Sequence, residues 1–150
     1  MSEGSRVAVI TGGTRGIGLA VAQRLACDGY DLLLTYNQDA AAAEAAQAAL
    51  SGSGRRIETL SADSSSPDGA GAAIEAAMQR LGRIDALINN AGITRDTLLM
   101  RMSDSDWDDV LSTNLKGAYL TAPGKFVGEV PHIQPDDDGN YFLLVPKANK

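Results

Sequence analysis

The chain has 150 residues, of which 44% are hydrophobic and 21% charged, and carries a formal net charge of −6. That length accommodates one domain with a real core but not two ordinary ones. The acidic balance, with no basic run, leaves a nucleic-acid partner without an electrostatic footprint, and no apolar run of about 18 residues is available to span a membrane.

The opening stretch, MSEGSRVAVITGG, lacks the basic start and long apolar segment of a signal peptide. A lone cysteine, Cys27, excludes an internal disulfide framework and suits a reducing compartment. The expected location is cytoplasmic. Composition divides the chain near Ala122. Residues 1–122 are rich in alanine and glycine and contain one proline, Pro67, whereas residues 123–150 hold Pro123, Pro131, Pro135, Pro146 and the acidic run Asp136–Asp138.

Arg6–Thr11 is apolar almost throughout, which predicts a buried strand rather than a half-exposed one. A helix over Gly16–Cys27 follows, with Ile17, Ala20, Val21 and Leu25 on one face and Gly29 placed to end it. Leu32–Tyr36 reads as a second buried strand. Ala40–Leu50 is nearly all alanine, the strongest helix former. Ile57–Ser61 and Asp85–Asn89 are two further strands, separated by a helix from Pro67 to Leu81 that Gly82 closes. Ser103 or Ser105 begins a fourth helix, with Asp104, Asp106 and Asp108 near its positive end. Strands and helices alternating in this way imply right-handed βαβ units. The expected fold is α/β, the N-terminal half of a Rossmann-like doubly wound parallel sheet of about four βα units, with a divergent C-terminal tail. Cys27 and Trp107 read as packing residues.

The segment Thr11-Gly12-Gly13-Thr14-Arg15-Gly16-Ile17-Gly18 falls where the first strand gives way to the first helix. Glycine suits this place because side chains would block a pyrophosphate from the backbone, and because the turn needs dihedrals that a Cβ disfavours. The helix end then offers free N–H groups and partial positive charge. Its spacing, Gly12-x3-Gly16-x-Gly18, differs from G-x-G-x-x-G, but the strand before it and the helix after it supply the context such a motif requires. Residues 1–122 are therefore expected to form a dinucleotide-binding domain.

An NAD-type site places a carboxylate on the ribose 2′-hydroxyl some 20 residues past the loop. Tyr36 and Asn37 stand there instead, so no anion is expected to repel a 2′-phosphate, and Arg15 is the cation available to pair with it. NADP(H) is the expected cofactor. The alternative for Arg15 is that it points into solvent, as exposed arginines commonly do.

The glycine loop together with Asn89-Asn90-Ala91-Gly92 after the fourth strand resembles the short-chain dehydrogenase/reductases. Gly92–Met102 (GITRDTLLMRM) looks most like one branch, the 3-oxoacyl-acyl-carrier-protein reductases of fatty-acid synthesis. The resemblance covers about residues 1–121. It implies that Gly12 through Gly18 hold the pyrophosphate and that Asp63, in Ala62-Asp63-Ser64, hydrogen-bonds the adenine ring. It also implies that Asn90, Ala91 and Gly92 line the middle of the cofactor, and that Asn114 anchors a proton-relay water within a helix, a catalytic role. An acyl-carrier-protein-linked carbonyl substrate is implied with it. Read as residues alone, Asp63 suits a solvated turn, Asn89 and Asn90 suit strand-end turns, and Lys116 suits a surface.

After Ala122 the resemblance stops. The family reduces a carbonyl with a tyrosine acid, a lysine four residues later, and a serine on the next strand. The tail has neither the serine strand nor Tyr-x-x-x-Lys: Tyr141 and Lys147 are six apart with Pro146 between them, which does not stack them on one helical face. Tyr141–Val145 reads as a strand. It could add as a substitute fifth strand; the exposed edge could otherwise be buried against a second copy of the chain, or the product could be marginally stable. His132 has no partner in sequence for a metal or triad, and no metal-ligand spacing occurs. Three functions stay open: an oxidoreductase lacking its catalytic triplet, a non-catalytic dinucleotide-binding or interaction module, and a truncated product without independent function.

Overall fold

A computed structural model describes residues 4–122, 133–135 and 141–143. Its centre is a four-stranded parallel sheet, β1 (Arg6–Thr11), β2 (Tyr30–Tyr36), β3 (Ile57–Ser61) and β4 (Ala86–Asn89), in the order β3-β2-β1-β4. The register runs Ala8 beside Leu32 and Ala86, and Leu34 beside Thr59. Helices α1 (Gly16–Cys27), α2 (Ala40–Leu50) and α3 (Pro67–Leu81) connect the strands. This is the Rossmann-like arrangement, with the chain turning outward from β1 to β2 and β3 and then crossing back to β4 on the other side.

Alternation along each strand assigns its residues to two cores. Ala8, Ile10, Leu32 and Leu34 meet Ala22 and Ala26 of α1 and Ala46 and Leu50 of α2. Val7, Val9 and Leu33 point the other way, onto Ala76, Ala77 and Leu81 of α3. Both faces of β1 and β2 are thus covered, which is why these strands are apolar throughout. β4 is only half-buried.

Several local expectations are corrected. β2 begins two residues early because Asp31, buried in the strand, accepts hydrogen bonds from the Arg56 backbone N–H at 3.0 Å and side-chain Nε at 2.9 Å. On α1 the buried stripe is Gly18, Ala22 and Ala26; Val21 and Leu25 flank it, Ala20 is exposed and Ile17 is 77% exposed. Small residues face inward because the helix lies close against the sheet. Cys27 is exposed, not core, and Trp107 is 54% exposed. The fourth helix opens at Asp104, capped by Ser103. It runs as α4 (Asp104–Leu111), one wide π turn (Ser112–Lys116) and α5 (Gly117–Thr121).

Beyond Ala122, β5 (Ile133–Pro135) pairs antiparallel with β6 (Tyr141–Leu143) in a separate two-stranded sheet. The Tyr141 strand is therefore not a fifth member of the parallel sheet; its hydrogen-bonding partner is β5. His132, Leu144, Val145, Pro146 and Lys147 lie outside the described residues. No helix among the described residues is long and apolar enough to cross a membrane.

Candidate functional site

The site forms where the sheet order reverses, in the crevice between the carboxyl ends of β1 and β4. The loop after β1 is tied back to β2: Gly13 N–H donates to the Thr35 carbonyl at 3.0 Å, and Gly12 N–H to Thr35 Oγ1 at 3.3 Å. Gly16 has φ of +53° with open space beside it, a conformation that costs a side-chain-bearing residue energy. Gly18 is needed for a different reason. A Cβ there would overlap the Gly12 carbonyl oxygen and crowd Asn90 Nδ2, so only glycine lets α1 come this close to the loop.

The start of α1 differs from the starts of α2, α3 and α4. Asp39 caps α2 by accepting from Ala42 N–H at 2.9 Å, Ser66 caps α3 from Gly69 N–H at 3.0 Å, and Ser103 caps α4 from Asp106 N–H at 3.1 Å. Arg15, the residue before α1, is extended and offers no side-chain cap. The first-turn N–H groups of α1 are therefore left to an outside acceptor.

From the β4 side, Asn90 braces the loop. Its Nδ2 donates to the carbonyls of Thr11 at 3.1 Å and Gly12 at 3.0 Å. Thr11 Oγ1 returns the contact, accepting from the N–H groups of Asn90 at 3.1 Å and Ala91 at 3.0 Å. Asn89 lies below, accepting from the Thr121 hydroxyl at 2.6 Å. Asn114, in the π turn, clamps Ile93 through both ends of its amide: Oδ1 accepts from Ile93 N–H at 2.8 Å and Nδ2 donates to the Ile93 carbonyl at 3.0 Å.

A cleft of about 820 Å³ runs past these groups, within the size range of small-molecule and cofactor sites. Of the residues expected at the site, Gly12, Thr14, Arg15, Gly16 and Ile17 line it from the loop, and Tyr36 and Asn37 from β2. Asp63, Ser64, Asn90, Ala91 and Gly92 complete the wall. Gly13 and Gly18 stand behind it, the first against Ile10 and Leu34. Asn114 borders a small adjoining cavity with Ser64 and Thr113. Asp63 is exposed, and its Oδ1 already accepts from Ser65 N–H at 2.9 Å and Oγ at 2.7 Å.

Two features were not anticipated. A carboxylate does stand at the β2 end: Asp39 lines the cleft, 4.0 Å from the Arg15 guanidinium. It lies three residues past Tyr36, beyond the end of the strand, although an aspartate directly before an alanine run is a recognisable helix cap. At the other end Arg95 pairs with Asp109 at 3.2 Å and Asp106 at 3.8 Å, strapping the segment after Gly92 to α4. The Ser103 hydroxyl, then the Ser103 backbone N–H, hold the Asp106 carboxyl below its ordinary value, with Arg95 adding to the effect. Among the described residues, no group of three or more His, Cys, Asp or Glu side chains gathers to hold a metal ion.

The family model for short chain dehydrogenases matches residues 6–124. The chain belongs to that family. The 3-oxoacyl-[acyl-carrier-protein] reductase FabG of Staphylococcus aureus is 40% identical over 115 residues, which is 77% of this chain and 47% of that enzyme. The 3-oxoacyl-[acyl-carrier-protein] reductase of Synechocystis is likewise 40% identical, over 116 residues. Among solved structures, a short chain dehydrogenase from Burkholderia cenocepacia in complex with NADP superposes with a TM-score of 0.76 at 37% identity, covering 79% of this chain and 48% of that one. A blue fluorescent protein from a metagenomic library, in complex with NADPH, gives 0.74 at 35% identity, covering 81% and 50%. The chain spans about half the length of the curated relatives it matches.

Proposed function

We propose that the chain binds NADP(H) at the crevice between β1 and β4, and that the chemistry it belongs to is reduction of a carbonyl, a 3-oxoacyl thioester in particular. The observation that carries this reading is the mouth of α1, where N–H groups without a side-chain cap open onto a cleft beside glycines that admit a phosphate. The residues present fit a dinucleotide. The Gly12–Gly18 backbone would hold the pyrophosphate, because amide dipoles and a helix end favour an anion without a full positive charge. Arg15 would meet a 2′-phosphate beside Tyr36 and Asn37, Asp63 and Ser64 would face the adenine, and Asn90, Ala91 and Gly92 would flank the middle of the molecule. The NADP- and NADPH-bound relatives support this cofactor.

When bound, the nicotinamide supplies a hydride. The chain's own part is to position and to exclude water. Asn114 acts through Ile93, fixing the backbone that follows Gly92. With both ends of its amide engaged, its contribution is to hold that wall and, if a water is anchored in the π turn, to order it. No tyrosine in the 150 residues is followed four positions later by lysine, so this chain alone carries no tyrosine–lysine proton donor of the family type. The expected behaviour is cofactor binding without turnover.

A fluorescence titration with NADPH and NADH, run beside a reductase assay on an acetoacetyl thioester, tests this. Tighter binding of NADPH, weakened in Arg15→Ala, with no thioester reduction is the expected result. Equal affinity for the two cofactors, or indifference to Arg15→Ala, would remove the NADP(H) assignment. Turnover would mean that another group serves as the acid.

A further inference from the structure

We infer that Asp39 sets how sharply the cleft discriminates between NADP(H) and NAD(H), by engaging the guanidinium that a 2′-phosphate would need. The inference rests on the reading above that the β2 end of the cleft receives the adenosine ribose. Asp39 lines that end, with Oδ2 4.0 Å from Arg15 NH1. Its other oxygen is committed, since Oδ1 accepts from Ala42 N–H at 2.9 Å as the cap of α2. Asp39 thus cannot turn away without uncapping a helix. Arg15 is the freer partner, with 79% of its side chain exposed on a long stem.

The guanidinium at this end therefore stands 4.0 Å from a carboxylate before any ligand arrives. A 2′-phosphate entering here meets one cation and one fixed anion, and must draw Arg15 away from Asp39 while standing near the carboxylate. A 2′-hydroxyl meets the same carboxylate as an acceptor. Arg15 paired with Asp39 favours the phosphate less than Arg15 alone would. The pair is exposed, so its influence is modest and sensitive to salt.

Asp39→Asn separates the charge from the cap, because an asparagine oxygen can still accept from Ala42 N–H. The expected result is an NADPH dissociation constant lower by about two- to fivefold at low salt, an NADH constant unchanged or higher, and a smaller gain at roughly 0.5 M NaCl. Asp39→Ser, which also caps, should shift the NADPH/NADH ratio in the same direction, and circular dichroism should show the same helix content in all three proteins. In an Arg15→Ala background the gain should shrink.

An unchanged ratio in both variants, with the wild type still preferring NADPH, would overturn the role of Asp39 and leave the cofactor assignment standing. A wild type that prefers NADH, converted to NADPH by Asp39→Asn, would sink the assignment and keep Asp39. Binding of neither dinucleotide by the wild type would overturn both.

Discussion

The two sides of the sheet are finished to different degrees. On the β1–β2 side, every residue from Val7 to Ile10 and from Leu32 to Leu34 is fully buried, and the buried carboxylate, Asp31, has Arg56 to meet it. On the β4 side, the strand is half-buried and the segment that follows it carries Leu98, Leu99, Met100, Trp107, Leu111, Leu115 and Tyr119 at the surface. Only Ile17 and Met78, among large hydrophobic residues of the described chain, are exposed elsewhere. The side that builds the glycine loop is a closed core; the side that would face a substrate is not. The glycine loop and the most buried core thus reside together, in one βαβ unit, and the β4 side is tied to it through Asn90 and Thr11.

The sharpest way to break that contrast is to cut matched side chains from each side. Leu33→Ala, which empties a fully buried site on the α3 face of β2, should cost about 3 kcal/mol in urea unfolding. Leu99→Ala on the β4 side should stay within about 0.5 kcal/mol, and a large loss there would show that the exposed segment packs in solution. Next in size is Gly18→Ala, whose new methyl meets the Gly12 carbonyl. It should destabilise by about 2 kcal/mol and weaken NADPH binding in the same titration by more than any stability loss explains.

Asn114→Ala strips two hydrogen bonds from Ile93 and should cost about 1–2 kcal/mol. Faster hydrogen exchange at the Ile93 amide, with the β1 amides unaffected, would locate the loss on the β4 side. The smallest effect is the response of α4 to acid. Because the folded Asp106 carboxyl titrates below its ordinary value of 3.8, its contribution is whole above that pH. It disappears as pH falls through the lower folded value. Asp106→Asn should abolish that part of the acid response, read from helix content, and leave the neutral-pH fold intact.

Where the elements lie was largely legible from residue types. β1, α1, α2, β3 and α3 begin and end as read, and several of these ends carry a local signal: Gly12 after β1, Asp39 before α2, and Ser66, Pro67 and Gly82 around α3. The misreadings share a cause in contacts distant along the chain. β2 starts two residues before Leu32, where Asp31 is met by Arg56, 25 residues on. Ile17 looked like core because helical periodicity marks a face without saying which way it points, and the sheet accepted only Gly18, Ala22 and Ala26. Cys27 and Trp107 were assigned to the interior by their chemistry, which says nothing of where a helix ends or what covers it. At the site, the glycine spacing and Asn90 were visible in sequence, whereas the Arg15–Asp39 and Arg95–Asp109 pairs exist only once loops from different strands converge.

The bare opening of α1 has a consequence for measurement. A joint that its own chain leaves open is closed by whatever anion arrives, so the energy of completing that helix enters the binding constant rather than the stability of the empty protein. The melting temperature should accordingly climb with the logarithm of dinucleotide concentration above its dissociation constant. Plain phosphate, able to reach the same amides without the rest of the molecule, should reproduce a fraction of that climb.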